Sequence, residues 1–250
     1  MKRLPQRSAT KLTTARRRRA RSGASAPASI AIDGPVAAGK SAVGARVAQQ
    51  LGYSFIDTGV MYRALTWLAL ERQVDLEDAE ALGRLAEDAT VVLEPGPPDA
   101  PDAAHIVVDG IDVTGRLRST EVGAAVSLVS RVPAVRKALV ALQRGLARRG
   151  RVVMAGRDIG TVVLPNAPLK VYLNAYPEER ARRRHEELRA MGRRVSLQEV
   201  RDELALRDAI DSSRDTSPLR PAKDAVVIDT DRLSLDEVVQ RILDAVPCRS

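Results

Sequence analysis

The chain has 250 residues, 44% of them hydrophobic and 29% charged, which is enough to bury a core and excludes a disordered protein. Aromatics make up only 2%, so the core must be aliphatic, and a lone cysteine, Cys248, excludes a disulfide framework or a cysteine-rich zinc site and points to a reducing compartment, the cytoplasm. The net charge of +8 suggests a polyanion partner until it is mapped: nine of the 40 Lys and Arg fall in residues 1–22 with no acid among them, which leaves 31 against 32 acidic residues, a net of −1.

In chain order, residues 1–28 read as a disordered basic tail. They contain Arg16 to Arg19 in a row and no apolar periodicity. The tail lacks the apolar run of a secretory signal, loosely resembles an organelle transit peptide, and carries no interleaved aromatics that would stack bases. It reads first as a solvated extension, with weak polyanion contact or targeting as the alternatives and no specific nucleic-acid partner expected. No stretch reaches the ~18 apolar residues of a membrane span, so no membrane partner is expected either.

Ser29–Ile32 reads as a buried strand, followed by a glycine-bearing loop and a helix over Lys40–Leu51. A strand at Ser54–Ile56 leads to a helix over Gly59–Arg72, then an acidic helix over Leu76–Asp88 and a strand at Thr90–Leu93. Residues 94–103 are a Pro-rich loop. Ile106–Val108 and Ile111–Val113 flank Asp109-Gly110, a strong hairpin signal. Residues 90–117 thus form a small antiparallel insert. Two helices broken near Pro133 follow, then strands at Val152–Ala155 and Leu169–Leu173. Helices over Pro177–Met191 and Leu197–Ile210, a strand at Ala225–Ile228 and a helix over Leu235–Ala245 complete the chain. Apolar strands alternating with helices predict a parallel sheet covered on both faces.

Gly34-Pro35-Val36-Ala37-Ala38-Gly39-Lys40-Ser41 fits G-x-x-x-x-G-K-[ST], between a predicted strand and a predicted helix. The spacing has a physical cause. Backbone N–H groups of the loop and the positive end of the next helix converge on phosphate oxygens, Lys40 reaches the β- and γ-phosphates, and the Ser41 hydroxyl can ligate Mg²⁺. The chain is expected to bind a nucleoside triphosphate.

The loop does not name the acceptor. Arginines beside turn and strand ends do more: Arg63 in Asp57-Thr58-Gly59-Val60-Met61-Tyr62-Arg63, Arg157 in Gly156-Arg157-Asp158-Ile159-Gly160-Thr161, and Arg207, Asp211 and Arg214 near one helix end, with Arg136 after Pro133. An acceptor phosphate is already ionised at neutral pH, so transfer to it needs cationic clamps rather than a general base, a task suited to arginine's planar fork. Each pair also has a bland reading: Arg63 as a solvated helix residue, Arg157–Asp158 as a local turn pair, Arg207–Asp211 as a surface helix pair.

In order along residues 28–246, I-D-G-P…G-K-S, D-T-G-x-x-Y-R, the Pro133–Arg136 segment, G-R-D-I-G-T, the E-R-A-R-R-R helix and R-D-x-x-D-S-x-R resemble the bacterial cytidylate kinases. The resemblance implies an α/β fold of the P-loop nucleoside-monophosphate kinases: a five-stranded parallel core with helices on both faces, the antiparallel insert, and a mobile helical lid over 178–195, all within 29–250. It implies transfer of phosphate from ATP, with Mg²⁺, to CMP or dCMP. Ser127, Arg136 and Asp158 would contact cytosine, and Asp211 with Arg207 would hold the ribose. Arg63, Arg157, Arg207 and Arg214 would surround the phosphates, and Thr58 and Tyr62 would line the acceptor site. Gly34 to Ala42, with Arg180 and Arg184 of the lid, would hold ATP. Lys40, Arg157, Arg207 and Arg214 would be the catalytic cations, in a protein expected to act as a monomer. Ala42 stands where the family usually has a hydroxyl, leaving Ser41 as the magnesium ligand with waters; Asp57 and Asp158 are weak candidates for a second. Rival readings are the same chemistry on UMP, AMP or shikimate, or a nucleotide-binding module without kinase activity.

Overall fold

In the computed structural model, residues 28–97, 99–100, 104–214 and 217–247 are described; the basic segment 1–27 and Cys248 lie outside them. The elements follow the predicted order. Strand β1 (Ser29–Asp33) leads through the glycine loop to α1 (Lys40–Leu51), then β2 (Ser54–Asp57) and α2 (Gly59–Glu71). Next come α3 (Ala79–Asp88), the insert strands β3 (Val91–Glu94), β4 (His105–Val108) and β5 (Ile111–Asp112), and the helices α4 (Thr120–Arg131) and α5 (Pro133–Ala147). Strand β6 (Val152–Gly156), β7 (Leu169–Asn174), α6 (Pro177–Ala190), α7 (Leu197–Ser212), β8 (Val226–Asp229) and α8 (Leu235–Asp244) complete it.

The core sheet is parallel throughout, ordered β2-β6-β1-β7-β8. Along β1, Ile30 and Ile32 enter one apolar cluster with Val43 and Val47 of α1 and Ile242 of α8. Ala31 points the other way, into a larger cluster with Met61 and Leu65 of α2, Val126 of α4 and Leu139 of α5. The period of two thus distributes one apolar strand between two layers of helices.

Boundaries moved where a side chain competes with the helix. The helix expected from Leu76 begins at Ala79, because the Asp78 carboxylate accepts from the N–H groups of Glu80 and Ala81 at 3.0 and 2.9 Å and caps it there. The hairpin turns at Asp109 and Gly110, with φ of 49° and 81°, the left-handed pair that a two-residue turn between twisted strands requires. A turn of π-helix over Ile159–Val163, which no periodicity announced, follows β6.

Helices α6 and α7 share a small core of their own. Ala181 and Leu188 of α6 meet Val200 and Leu204 of α7, and Val36 of the glycine loop packs against them. Among the described residues no helix is long and apolar enough to cross a membrane.

Candidate active site

The connection from β1 leads toward β2, and that from the neighbouring β7 leads toward β8, so the loops part above the carboxyl ends of the strands. A cavity of about 540 Å³ occupies that crevice, the size of a nucleotide site rather than of a single water. The glycine loop, the start of α2, Gly156–Asp158, the end of α7, the insert and α6 all contribute walls.

In the glycine loop, Gly34 has φ 151°, and a β-carbon there would lie 2.2 Å from the Leu173 carbonyl oxygen, so only glycine lets the loop leave β1 beneath β7. Gly39 caps α1 without a side-chain bond, and the first turn carries no acid. The positive end of α1 therefore faces the cavity uncompensated. Lys40 is buried and donates to the Pro35 carbonyl at 2.6 Å; burial, then Arg157, hold its pKa well below the ordinary lysine value. The Ser41 hydroxyl donates to Asp57 Oδ2 at 2.6 Å, and both line the cavity. Val36, Ala37 and Ala42 also line it, whereas Ala38 is buried beneath the loop.

At the β2–α2 junction, Thr58 lies in the wall but its hydroxyl is committed to the Ala155 carbonyl at 2.9 Å, joining β2 to β6. Tyr62 is buried under the Arg136 guanidinium, 5.4 Å from its ring centre, and burial pushes its phenol up to about 12. Arg136 forms a buried ion pair with Asp158 and donates to the Ser130 carbonyl at 3.3 Å. Ser127, Ser130, Arg136 and Asp158 all line the cavity.

In the same cavity the arginines gather. Arg157 donates to Asp211 Oδ2 at 2.8 Å and to the Gly34 carbonyl at 3.2 Å. Asp211 also takes Arg214, which donates to Ser130 Oγ at 2.8 Å. Burial would raise the Asp211 carboxyl, but Arg157 and Arg214 hold it below the usual range. Among the described residues Arg207 has one ion-pair partner, Glu203 at 3.4 Å, and burial with Arg157 and Arg184 nearby lowers its pKa. Arg63 donates to the Leu117 carbonyl at 3.2 Å, and burial with Arg207 and Arg184 brings it down to about 10. Cations crowded until their charge is disfavoured make a strong anion site. The Nε atoms of Arg136, Arg184, Arg207 and Arg214 are buried without a partner among the described residues.

Arg180 does not join this group. It lies under the loop, paired to Asp208 at 2.7 Å and donating to the carbonyls of Ala175 at 3.2 Å and Val36 at 3.3 Å. Its guanidinium is spent on protein groups, while Arg184, one turn on, lines the cavity. Asp158 faces Arg136 rather than Ser41, so the second candidate metal ligand at the loop is Asp57. The sequence reading missed Ser130, one turn beyond Ser127 on α4, and Arg118 at the end of the insert, both in the cavity wall. The helical period could have found Ser130. Arg118 had no signal.

Comparison with known proteins places this geometry in a family. The sequence model described as cytidylate kinase matches residues 30–248. A cytidylate kinase of Geobacillus kaustophilus (strain HTA426) is 54% identical over 218 residues, covering 87% of this chain and 96% of that protein. One from Pelotomaculum thermopropionicum is 50% identical over 217 residues, covering 87% and 95%. A bifunctional pantoate ligase/cytidylate kinase of Synechococcus sp. (strain JA-3-3Ab) is 51% identical over 214 residues, which cover 86% of this chain and 39% of that protein. With a phosphate-binding loop, an arginine-lined cavity and this match over nearly its whole folded length, the chain belongs to the cytidylate kinase family of nucleoside-monophosphate kinases.

Proposed function

We propose that the enzyme transfers the γ-phosphoryl group of ATP to CMP, and to dCMP, giving ADP and CDP or dCDP. The observation that carries the reading is that one cavity is lined at once by the Lys40 loop, by Ser127, Arg136 and Asp158, and by Arg63, Arg157, Arg184 and Arg207. ATP phosphates fit against the α1 N-terminus and Lys40, and the CMP phosphate against Arg63, Arg157 and Arg207. The cations offset repulsion between the two anions and align them for in-line transfer, which is most of what such a reaction asks of a protein.

Among the described residues there is no cluster of three or more His, Cys, Asp or Glu able to hold a metal. The donor set that fits magnesium is Ser41 with Asp57, a hydroxyl and a carboxylate at 2.6 Å facing the cavity. Mg²⁺ bound there with ATP would neutralise charge between its β- and γ-phosphates. At the base end, the Asp158 carboxylate can accept from the N4 amino group of cytosine, and Ser127 and Arg136 can donate to its acceptor edge; uracil would set O4 against the carboxylate. We take the protein to act as a monomer in the cytoplasm, in keeping with its one cysteine.

The test is turnover with ATP and Mg²⁺ across CMP, dCMP, UMP, AMP and shikimate. Preferred turnover of CMP and dCMP is expected. Preference for another acceptor overturns the base assignment, and no turnover with any acceptor favours a nucleotide-binding module.

A further inference from the structure

Asp33 is the last residue of β1, and the loop that holds ATP starts at the next residue. It is 2% exposed and does not line the cavity. Its two carboxylate oxygens accept from two successive backbone N–H groups on a different segment, Ile159 and Gly160, each at 2.7 Å. Those are the first N–H groups of the π turn, and the residue before it, Asp158, gives that turn no side-chain cap. A carboxylate from another strand therefore serves as the cap, and because each oxygen takes a separate donor, the bond fixes orientation as well as distance.

A second tether lies alongside. Arg157 donates to the carbonyl of Gly34 at 3.2 Å, so residues 33–34 and 157–160 are joined on both sides of the side chains that face the cavity. The fit is close. A β-carbon on Gly160 would lie 3.2 Å from Asp33 Oδ2 and 3.2 and 3.3 Å from the Lys170 methylenes, and Lys170 is held by Asp224 at 2.9 Å. Lys40 and Asp158 are the charged groups that face the Asp33 carboxylate, one favouring and one opposing its ionisation.

Building on the kinase reading above, we propose that Asp33 is a positioning residue that holds the ATP loop and the Gly156–Gly160 acceptor loop in one register, so that the two bound nucleotides meet in line. It touches neither substrate. It acts through Gly34 on one side and through Arg157 and Asp158 on the other. Loss of register should leave each nucleotide's own contacts in place and spoil their mutual alignment.

Asp33→Asn keeps the shape but sets an amide N–H₂ against one of the two backbone donors. Four quantities are measured: kcat, the Kd of CMP alone, the Kd of ATP alone, and the melting temperature. The expected result is a fall in kcat of about tenfold or more, the scale of a misalignment near the reacting atoms. Each Kd should stay within about threefold, and the melting temperature should fall only modestly, from the one buried donor left unpaired, with the protein folded at the assay temperature. A kcat within about twofold of the parent, or losses in both Kd values that match the loss in kcat, would overturn the proposal. If the Asn variant does not fold, Gly160→Ala presses on the same contact with Asp33 intact; the same split supports the proposal and an unchanged kcat overturns it. Parent enzyme that turns over no acceptor would instead refute the kinase reading, so the two failures are distinguishable.

Discussion

Arg207 and Arg63 are held among like charges, and that has opposite consequences for stability and activity. A cation whose pKa is lowered in the fold destabilises the fold while charged, so removing it relieves repulsion from Arg157 and Arg184. Arg207→Ala should leave the melting temperature unchanged or raised and cut kcat/KM roughly 10–150-fold, the worth of a charge-assisted bond to phosphate or ribose. A drop in melting temperature with kcat/KM intact would make it a packing residue instead. Base reading needs a similar separation. Deleting Asp158 strands the buried Arg136 guanidinium, a loss of about 3–5 kcal/mol of stability that would mask any change in specificity. Ser127→Ala leaves no buried ion behind. It should narrow the CMP:UMP ratio of kcat/KM by about 1–3 kcal/mol of discrimination, with the fold intact by thermal melt; an unchanged ratio would mean that Ser127 does not read the base. The phosphate loop was legible to the residue, because its spacing is dictated by backbone donors that must converge. The arginines were legible only as candidates, since which carboxylate each one meets depends on strand neighbours that a sequence does not display. Asp33 entered only as the acid of the I-D-G-P motif, and nothing local showed that its partners lie at Ile159 and Gly160.

Element by element, periodicity placed every strand and α-helix, and the errors sit at caps, as at Asp78, where one side chain decides the first turn. The limit of that reading shows on α6. Arg180 and Arg184 are four residues apart on one face, so the helical period treats them alike. Across from the first, however, lie Asp208 and the Val36 carbonyl, which tie α6 to α7 and to the ATP loop. The second reaches the cavity and, among the described residues, is bonded only within its own helix, to Glu187 at 2.7 Å. The two substitutions should therefore separate. Arg184→Ala is expected to lower kcat/KM for ATP about tenfold with little change in melting temperature. Arg180→Ala should cost about 1.5–3 kcal/mol of stability through the loss of charged hydrogen bonds and of the strut under the loop. Equal effects of both on activity, with neither melting early, would put Arg180 at the triphosphate after all. Among the described residues, the buried core between α6 and α7 is Ala181, Leu188, Val200 and Leu204, with Val36 packed against it. At about 1.5–3 kcal/mol per fully buried leucine, so small a core leaves the attachment of this helix pair dependent on that strut.

For the whole molecule, alternation of apolar strands and helices implied a parallel sheet, but not that β6 would lie between β1 and β2. That order sets Gly156 beside Asp33 in register and so brings the acceptor loop to the ATP loop. Local pattern cannot give it, because every apolar strand fits every slot; only the resemblance of ordered motifs anticipated the meeting. The same scale governs the basic segment. Residues 1–22 hold nine basic residues and no acid, while the rest of the chain is nearly neutral, so the protein's charge and its cavity-lining arginines are separate features. Those arginines are placed by α2, α5, β6, α6 and α7, all within the described residues. Ala28 must stay, since its carbonyl accepts from the Val152 N–H at 3.1 Å and extends the β1–β6 ladder. A chain beginning at Ala28 should therefore keep kcat and KM for CMP within about twofold, with the melting temperature unchanged. Its net charge falls from +8 to −1, so binding to heparin or bulk RNA at low salt should be lost and should already be weak in the full chain near 0.2 M salt. If truncation abolishes turnover while the fold survives, the basic segment contributes to the active site and the separation fails. If heparin binding survives truncation, the polyanion contact belongs to the arginine-lined cavity instead, and competition by ATP would reveal it.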